Sequence, residues 1–206
     1  MKNLLLAAVA ALLLNACGSD KPTKPLAGPT VYNGYNLPAE PDPVLNRATL
    51  KGIDSNNNGI RDDVEIAIIK TFKPNTIEMR LASSRIYDKI NIENISKKRA
   101  MEISDEADLF SSCTNYLGAH GYSNDNEWIE TYDKADEILY NTPERAIASE
   151  RYEQRLSGGV YSTPRILDRR QNCIDFGIDF SKMVQIYPDR DPEEDNRHAK
   201  DDKWNY

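Results

Sequence analysis

The chain has 206 residues, with 26 basic and 33 acidic side chains and a formal net charge of −7. An acidic chain is a poor nucleic-acid binder, because phosphate binding needs clustered Lys and Arg, so we expect no nucleic-acid partner. The mean hydropathy of −0.66 argues against a membrane-spanning segment beyond the N-terminus. The length is sufficient for one domain with its own hydrophobic core.

The chain begins with a segment that is typical of a signal peptide. One positive charge, Lys2, precedes an uninterrupted apolar run of eleven residues from Leu4 to Leu14. This run is too short to span a hydrocarbon layer, which needs about 20 residues, but it fits the apolar region of a cleaved signal peptide. We therefore predict that residues 1–16 are removed. The alternative is a buried N-terminal helix, which would carry polar residues on one face, and this segment has none.

The residues at the predicted cleavage site carry a family resemblance. Leu14-Asn15-Ala16-Cys17 resembles the bacterial lipobox, in which a leucine and two smaller residues precede the cysteine that becomes the lipidated N-terminus. The resemblance implies diacylglyceryl modification of Cys17, and more than one acyl chain is needed for stable anchoring. Gly18 follows Cys17 where an Asp would imply retention in the inner membrane. The expected location is therefore the cell envelope, on the outer membrane and facing either the periplasm or the cell surface.

Residues 17–46 are predicted to form a tether between the lipid and a folded domain. Six of the eleven prolines lie in this segment, and proline-rich stretches favour extended conformations that act as semi-rigid spacers. Two aromatic residues, Tyr32 and Tyr35, can dock on the domain and order part of the tether.

The segment from Asp54 to Glu65 matches the EF-hand loop pattern at each specified position. Calcium prefers about six to eight oxygen ligands, and the pattern supplies oxygen-bearing side chains on alternate residues. Gly59 permits the sharp turn that the loop needs. The predicted ligands are the carbonyl of one residue, Ile60, and the side chains of five others, Asp54, Asn56, Asn58, Asp62 and Glu65.

The loop departs from the regulatory EF-hand in two respects. Arg61 replaces the usual aliphatic residue, which lies one position early at Ile60, and no second loop exists for pairing. In these respects the loop resembles the calcium loops of thrombospondin type 3 repeats and of bacterial surface proteins. Three ligand carboxylates and no partner loop favour weak calcium affinity, about 10⁻⁴–10⁻³ M. The alternative is an ordinary helix entry that is capped by Asp62 or Asp63.

The sequence after this loop is predicted to form about six helices. Apolar residues recur at helical spacing, and no stretch alternates convincingly with period two. Pro74 is predicted to end the first helix. The other helices are predicted to start at cap residues or just after them: Thr76, Ser96, Asn124 with Glu127, Thr142 and Thr163. We therefore predict an all-α fold, an irregular helical bundle over residues 47–180, followed by an acidic disordered tail over residues 181–206.

The cysteines are consistent with an oxidising compartment. With Cys17 assigned to the lipid, Cys113 and Cys173 remain as a pair 60 residues apart, and we predict a disulfide that joins the third and sixth helices. The alternative is two unpaired buried thiols. A metal site at these cysteines is disfavoured, since neither His120 nor His198 lies at ligand spacing from them.

No residues form a recognisable catalytic arrangement. The run from Ser111 to Cys113 lies near His120 in sequence, but a hydroxyl beside a histidine is common by chance. The 33 acidic residues make carboxylate pairs trivial to nominate, so such pairs are no evidence for glycoside hydrolysis. We therefore expect a non-enzymatic protein without catalytic residues.

Two binding functions remain open. The first is an envelope lipoprotein, stabilised by Ca²⁺, that binds a protein or another envelope component through its helices. The second is a periplasmic immunity protein that neutralises a delivered toxin, which a neighbouring toxin gene would favour; a secreted hydrolase ranks third. The expected partners are the membrane, through the lipid on Cys17, and an unidentified protein.

Overall fold

A computed structural model describes residues 30–90, 95–123, 125–158 and 169–189, without the side chains of residues 88–90 and 125–131. The predicted signal peptide, the predicted lipidation site Cys17 and the last residues of the predicted tail lie outside these ranges. The described part is mostly helical, which confirms the all-α prediction. Its elements are β1 (Thr30–Tyr32), β2 (Tyr35–Leu37), α1 (Pro43–Arg47), α2 (Asp62–Thr71), α3 (Pro74–Ile90), α4 (Lys97–Ala119), α5 (Asp125–Leu139), α6 (Pro143–Leu156) and α7 (Arg169–Asp175).

Strands β1 and β2 form an antiparallel hairpin, whereas the sequence analysis predicted no strands. Tyr32 pairs with Tyr35 across a two-residue turn, Asn33-Gly34, in which φ is 49° and 85°. A turn with two positive φ values matches the twist of the paired strands, and Asn-Gly tolerates such values well. The strands have three residues each, so they are too short to produce a convincing alternating pattern.

The hairpin and α1 hold the predicted tether against the helical domain. The Tyr35 hydroxyl donates a hydrogen bond of 2.7 Å to Glu78 Oε1 on α3, so the predicted docking of Tyr35 is observed. The Asp42 carboxylate caps α1, accepting hydrogen bonds from the backbone N–H groups of Val44 and Leu45. The described chain is therefore folded against the domain before loop 54–65 begins.

Two predicted helix boundaries are confirmed and one is corrected. Ser96 caps α4 and Thr142 caps α6, each through a side-chain oxygen that accepts a backbone N–H three residues later. Thr76 was predicted to start the second helix, but α3 starts at Pro74 and Thr76 lies in its first turn. Proline is favoured there, because the first helical N–H has no helical partner and the proline φ is already suitable. The predicted starts at Asn124 and Thr163 lie outside the described residues.

The core has two adjoining clusters of buried side chains. One gathers residues of α3, α4 and α7, and the other gathers residues of α2 and α5 together with Ile60 from loop 54–65. Cys113 on α4 and Cys173 on α7 form the predicted disulfide, with a Cα–Cα distance of 4.8 Å. The bond therefore joins the long central helix to the last one.

The chain beyond α7 continues along the domain surface. The backbone N–H groups of Ile186 and Tyr187 both donate to the carbonyl of Gly121, at 2.8 and 3.1 Å, and Met183 is buried. Residues 181–187, which the sequence analysis assigned to a disordered tail, are therefore docked on the end of α4. Among the described residues, none of the helices has the length and apolar content needed to cross a membrane.

Candidate metal centre

The segment 54–65 forms a closed loop that leads directly into α2. Its backbone has positive φ at Asn57 and at Gly59, 56° and 83°, so the chain turns sharply at two points. The Asp54 carboxylate spans this turn: Oδ1 accepts from the backbone N–H of Asn58 at 3.2 Å, and Oδ2 accepts from that of Gly59 at 3.0 Å. The first predicted ligand is thus fixed by the turn that the glycine permits.

Two of the predicted ligand side chains, those of Asn56 and Asn58, meet at a third, that of Glu65. This residue lies in the first turn of α2 and is 7% exposed. Its Oε2 accepts hydrogen bonds from Asn56 Nδ2 at 3.1 Å and from Asn58 Nδ2 at 2.9 Å. Burial raises the pKa of Glu65, and the carboxylates of Asp62 and Asp54 raise it further, while the two amides oppose the shift. A cation at this point would favour the ionised form of the Glu65 carboxylate and so oppose the increase in pKa that burial causes.

The orientation of the two amides decides what the loop can bind in this arrangement. Asn56 and Asn58 present nitrogen to Glu65, while their oxygens accept backbone N–H groups of Asn58 and Ile60. Calcium takes oxygen ligands only, so its binding requires both amides to turn their oxygens toward Glu65. This rotation would place amide NH₂ groups against the backbone N–H groups of Asn58 and Ile60, so two hydrogen bonds would be lost and ion binding would have to compensate for them.

The remaining predicted ligands lie at the edges of this centre. Asp62 is buried, and its Oδ1 accepts the backbone N–H of Ser55 at 3.0 Å. The Ile60 side chain is buried in the core and anchors the loop. Within the described residues, no three carboxylate, imidazole or thiol groups converge as a metal site. The candidate centre therefore depends on amide oxygens as well as on carboxylates.

The loop does not act as an ordinary helix cap. The residue at the N-cap position of α2 is Arg61, and its side chain makes no capping hydrogen bond within the described structure. Asp62 and Asp63, the caps expected for a simple helix entry, already lie inside the first turn of the helix. Their carboxylates are directed elsewhere, to Ser55 and to arginine side chains respectively.

Arg61, which appears in the sequence only as a departure from the EF-hand pattern, connects the loop to α5. Its side chain is 0% exposed, and Nη2 donates to the carbonyl of Leu139 at 2.9 Å while Nε donates to Asp63 Oδ1 at 3.0 Å. Burial would raise the pKa of Asp63, but Arg61, Asn141 and Arg145 together lower it. The arginine that departs from the EF-hand pattern is therefore a buried charged residue that connects the loop to the C-terminal end of α5.

Arg145 on α6 makes a second such connection, to the chain that precedes the loop. It is 1% exposed, and it donates to the carbonyls of Asn46 at 2.6 Å and Leu50 at 3.2 Å. Gly52 has φ +63°, and a Cβ there would lie 2.6 Å from the Arg61 side chain. Sequence reasoning missed this connection, because a single arginine on a charged helix carries no signal of burial.

Arg85 on α3 also lies against the loop. Its Cγ lies 3.7 Å from the position of a Cβ at Gly59. Burial lowers the pKa of Arg85, and the Glu65 carboxylate partly opposes this. A guanidinium this close to Glu65 reduces the negative potential of the centre, which favours weak rather than tight cation binding.

The described residues therefore bring one carboxylate, that of Glu65, into contact with two amides, those of Asn56 and Asn58, while the carboxylates of Asp54 and Asp62 accept backbone N–H groups of the loop. Comparison of the chain with protein-family models, with curated proteins and with solved structures found no match.

Proposed function

We propose that this protein is a non-enzymatic, lipid-anchored envelope protein that binds one Ca²⁺ in the loop from Asp54 to Glu65. The ion stabilises the helical domain, which is presented for binding a protein or another envelope component. The lipid on Cys17 supplies the membrane attachment.

The observation that carries the proposal is the convergence of the two amides on one buried carboxylate. Glu65 Oε2 takes both Asn56 and Asn58, and the Asp54 carboxylate closes the turn beside them. Isolating a carboxylate from water is costly unless it is paired. A cation at this point would pair it, and oxygen-only ligands favour calcium over softer metals.

The proposed ion is structural rather than regulatory. The loop opens directly into α2, and its neighbours Arg61 and Arg145 already fix the surrounding backbone. Binding to the folded state alone adds RT ln(1 + [Ca²⁺]/Kd) to the unfolding free energy, about 1.4 kcal/mol at ten times Kd. For a chain of this size that raises the melting temperature by about 3–6 °C.

The test is thermal melting of the chain, followed by circular dichroism, with calcium and with chelator. Glu65→Gln removes the central carboxylate while keeping its shape, so most of the calcium effect should disappear. Asp54→Ala should have the same result. Ser55→Ala is the matched control, because Ser55 is exposed and only its backbone N–H is used.

Calorimetric titration of calcium into the same four proteins checks binding directly. We expect one site in the wild type and in Ser55→Ala, and heats near the baseline in Glu65→Gln. Equal melting temperatures with calcium and with chelator, together with no heat of binding, would show that the loop only shapes the entry to α2.

A further inference from the structure

A cavity separate from the calcium loop lies between α3, α4, α5 and α6. Its volume is about 310 Å³. A protein cavity of about 150 Å³ holds one benzene molecule, so this one has room for about two aromatic rings. The cavity is partly open to solvent, so a small molecule can reach it from the surface.

One part of the cavity wall is apolar and belongs to the core. Ile86 on α3, together with Ile103 and Phe110 on α4, lines it, and all three are buried. Ala107 lies between Ile103 and Phe110 in the sequence and also lines the cavity, and its small side chain leaves the space beside it unfilled. Burial of an apolar molecule against such a wall is favourable in proportion to the area removed from water.

Another part of the wall is polar and carries one positively and one negatively charged side chain. Arg80 is 1% exposed and lines the cavity together with Asp136 on α5. The hydroxyls of Tyr87 and Tyr132 also line it, and they hydrogen bond to each other. One cation and one carboxylate leave no excess charge, so a charged ligand would gain no net attraction and would lose its hydration.

Asp136 is a polar residue of the cavity wall whose carboxylate has an oxygen without a hydrogen-bond partner in the described structure. Its Oδ1 is buried and accepts no hydrogen bond within the described structure. Burial, reinforced by the nearby carboxylate of Asp133, raises the pKa of Asp136 to about 6, and Arg80 opposes this shift. Buried polar atoms in native proteins are nearly always hydrogen bonded, to protein, water or ligand, so this oxygen calls for a donor.

We propose that the cavity binds a small, neutral, apolar molecule of about two rings that donates one hydrogen bond to Asp136. The rings fill the space beside Ala107 and Phe110, and the donor reaches the Asp136 carboxylate. This site is independent of calcium, because none of the predicted ligands of loop 54–65 lines the cavity.

Diphenylamine is the probe, since it is neutral, has two rings and carries one N–H donor. The full chain, purified in dodecyl maltoside, is melted with and without the probe, and unfolding is followed by circular dichroism. Melting reports on the protein alone, so partition of the probe into micelles does not contribute to the signal. At ten times Kd, we expect the probe to raise the melting temperature by about 3–6 °C.

Diphenylmethane replaces the N–H with a CH₂ group and keeps the shape. It should bind about tenfold more weakly, the usual effect of losing a hydrogen bond to a charged group. Ala107→Trp fills the cavity and should abolish the shift. Asp105→Trp, an exposed position on the same helix, should leave the shift unchanged.

The proposal is overturned by any of three results: no shift in the wild type, an equal shift in Ala107→Trp, or equal binding of the two probes. The first means that only water occupies the cavity, and the second means that the probe binds elsewhere. If Ala107→Trp does not melt cooperatively, the comparison of the two probes on the wild type still decides the matter.

Discussion

Replacing Arg145 with methionine should destabilise the protein strongly, although Arg145 lies outside loop 54–65. Methionine has a similar length, so it keeps most of the packing and removes the guanidinium. The carbonyls of Asn46 and Leu50 then lose their donor, and Asp63 loses a neighbouring positive charge. The affected backbone is the segment that immediately precedes loop 54–65.

The expected size follows from the burial of the group. Hydrogen bonds to charged groups contribute about 1.5–3 kcal/mol each, and part of this is recovered where water reaches the freed carbonyls. Removing one member of a buried charged network costs about 3–5 kcal/mol. For a chain of this length, that corresponds to a decrease in melting temperature of about 6–20 °C. Arg145→Lys keeps the charge but loses the planar fork, so its effect should be intermediate.

Urea unfolding, followed by circular dichroism, measures these differences. Arg151→Met is the matched control, because it makes the same substitution at an exposed position of the same helix, and we expect a change within about 0.5 kcal/mol. If Arg145→Met and Arg151→Met have unfolding free energies within about 1 kcal/mol of each other, the connection through Arg145 does not stabilise the fold, and the reasoning fails.

Three further predictions concern other parts of the molecule. Gly52→Ala should lower the unfolding free energy by more than about 2 kcal/mol, since its φ is +63° and a Cβ would collide with Arg61; urea unfolding with a loss below about 0.5 kcal/mol would contradict this. The pKa of Asp136 is raised to about 6, so its stabilising contribution is present below about pH 4 and lost as the pH rises through 6. Asp136→Asn should therefore raise the melting temperature near about pH 7 and have little effect near about pH 4. Mass spectrometry of the membrane-extracted protein should find Cys17 as a lipidated N-terminus; an unmodified Cys17 or a retained Met1 would rule this out.

The elements that could be predicted from sequence are those with local causes. Ser96 and Thr142 mark helix starts because a hydroxyl satisfies a free backbone N–H only a few residues away. The disulfide was predictable because two cysteines remained once Cys17 was assigned to the lipid. The oxygen spacing of loop 54–65 likewise depends on neighbouring residues only.

The elements that were missed depend on distant residues or on very short patterns. Arg145 contacts carbonyls about a hundred positions earlier in the chain, and no local pattern distinguishes it from the exposed Arg151. The hairpin was predictable in principle from Asn33-Gly34, but its strands were too short to show alternation. Docking of residues 183–187 on Gly121 likewise brings together parts of the chain that are far apart in sequence.

The disulfide between Cys113 and Cys173 also determines how the protein responds to a protease. A single cut of the backbone anywhere between the two cysteines leaves both fragments covalently joined, because the 60-residue span is closed by the sulfur–sulfur bond. The fragment that begins after the cut carries Cys173, and it also carries Ile186 and Tyr187, which hydrogen bond to Gly121. A nicked molecule would therefore keep its mass under non-reducing conditions and separate into two pieces only when a reductant is added.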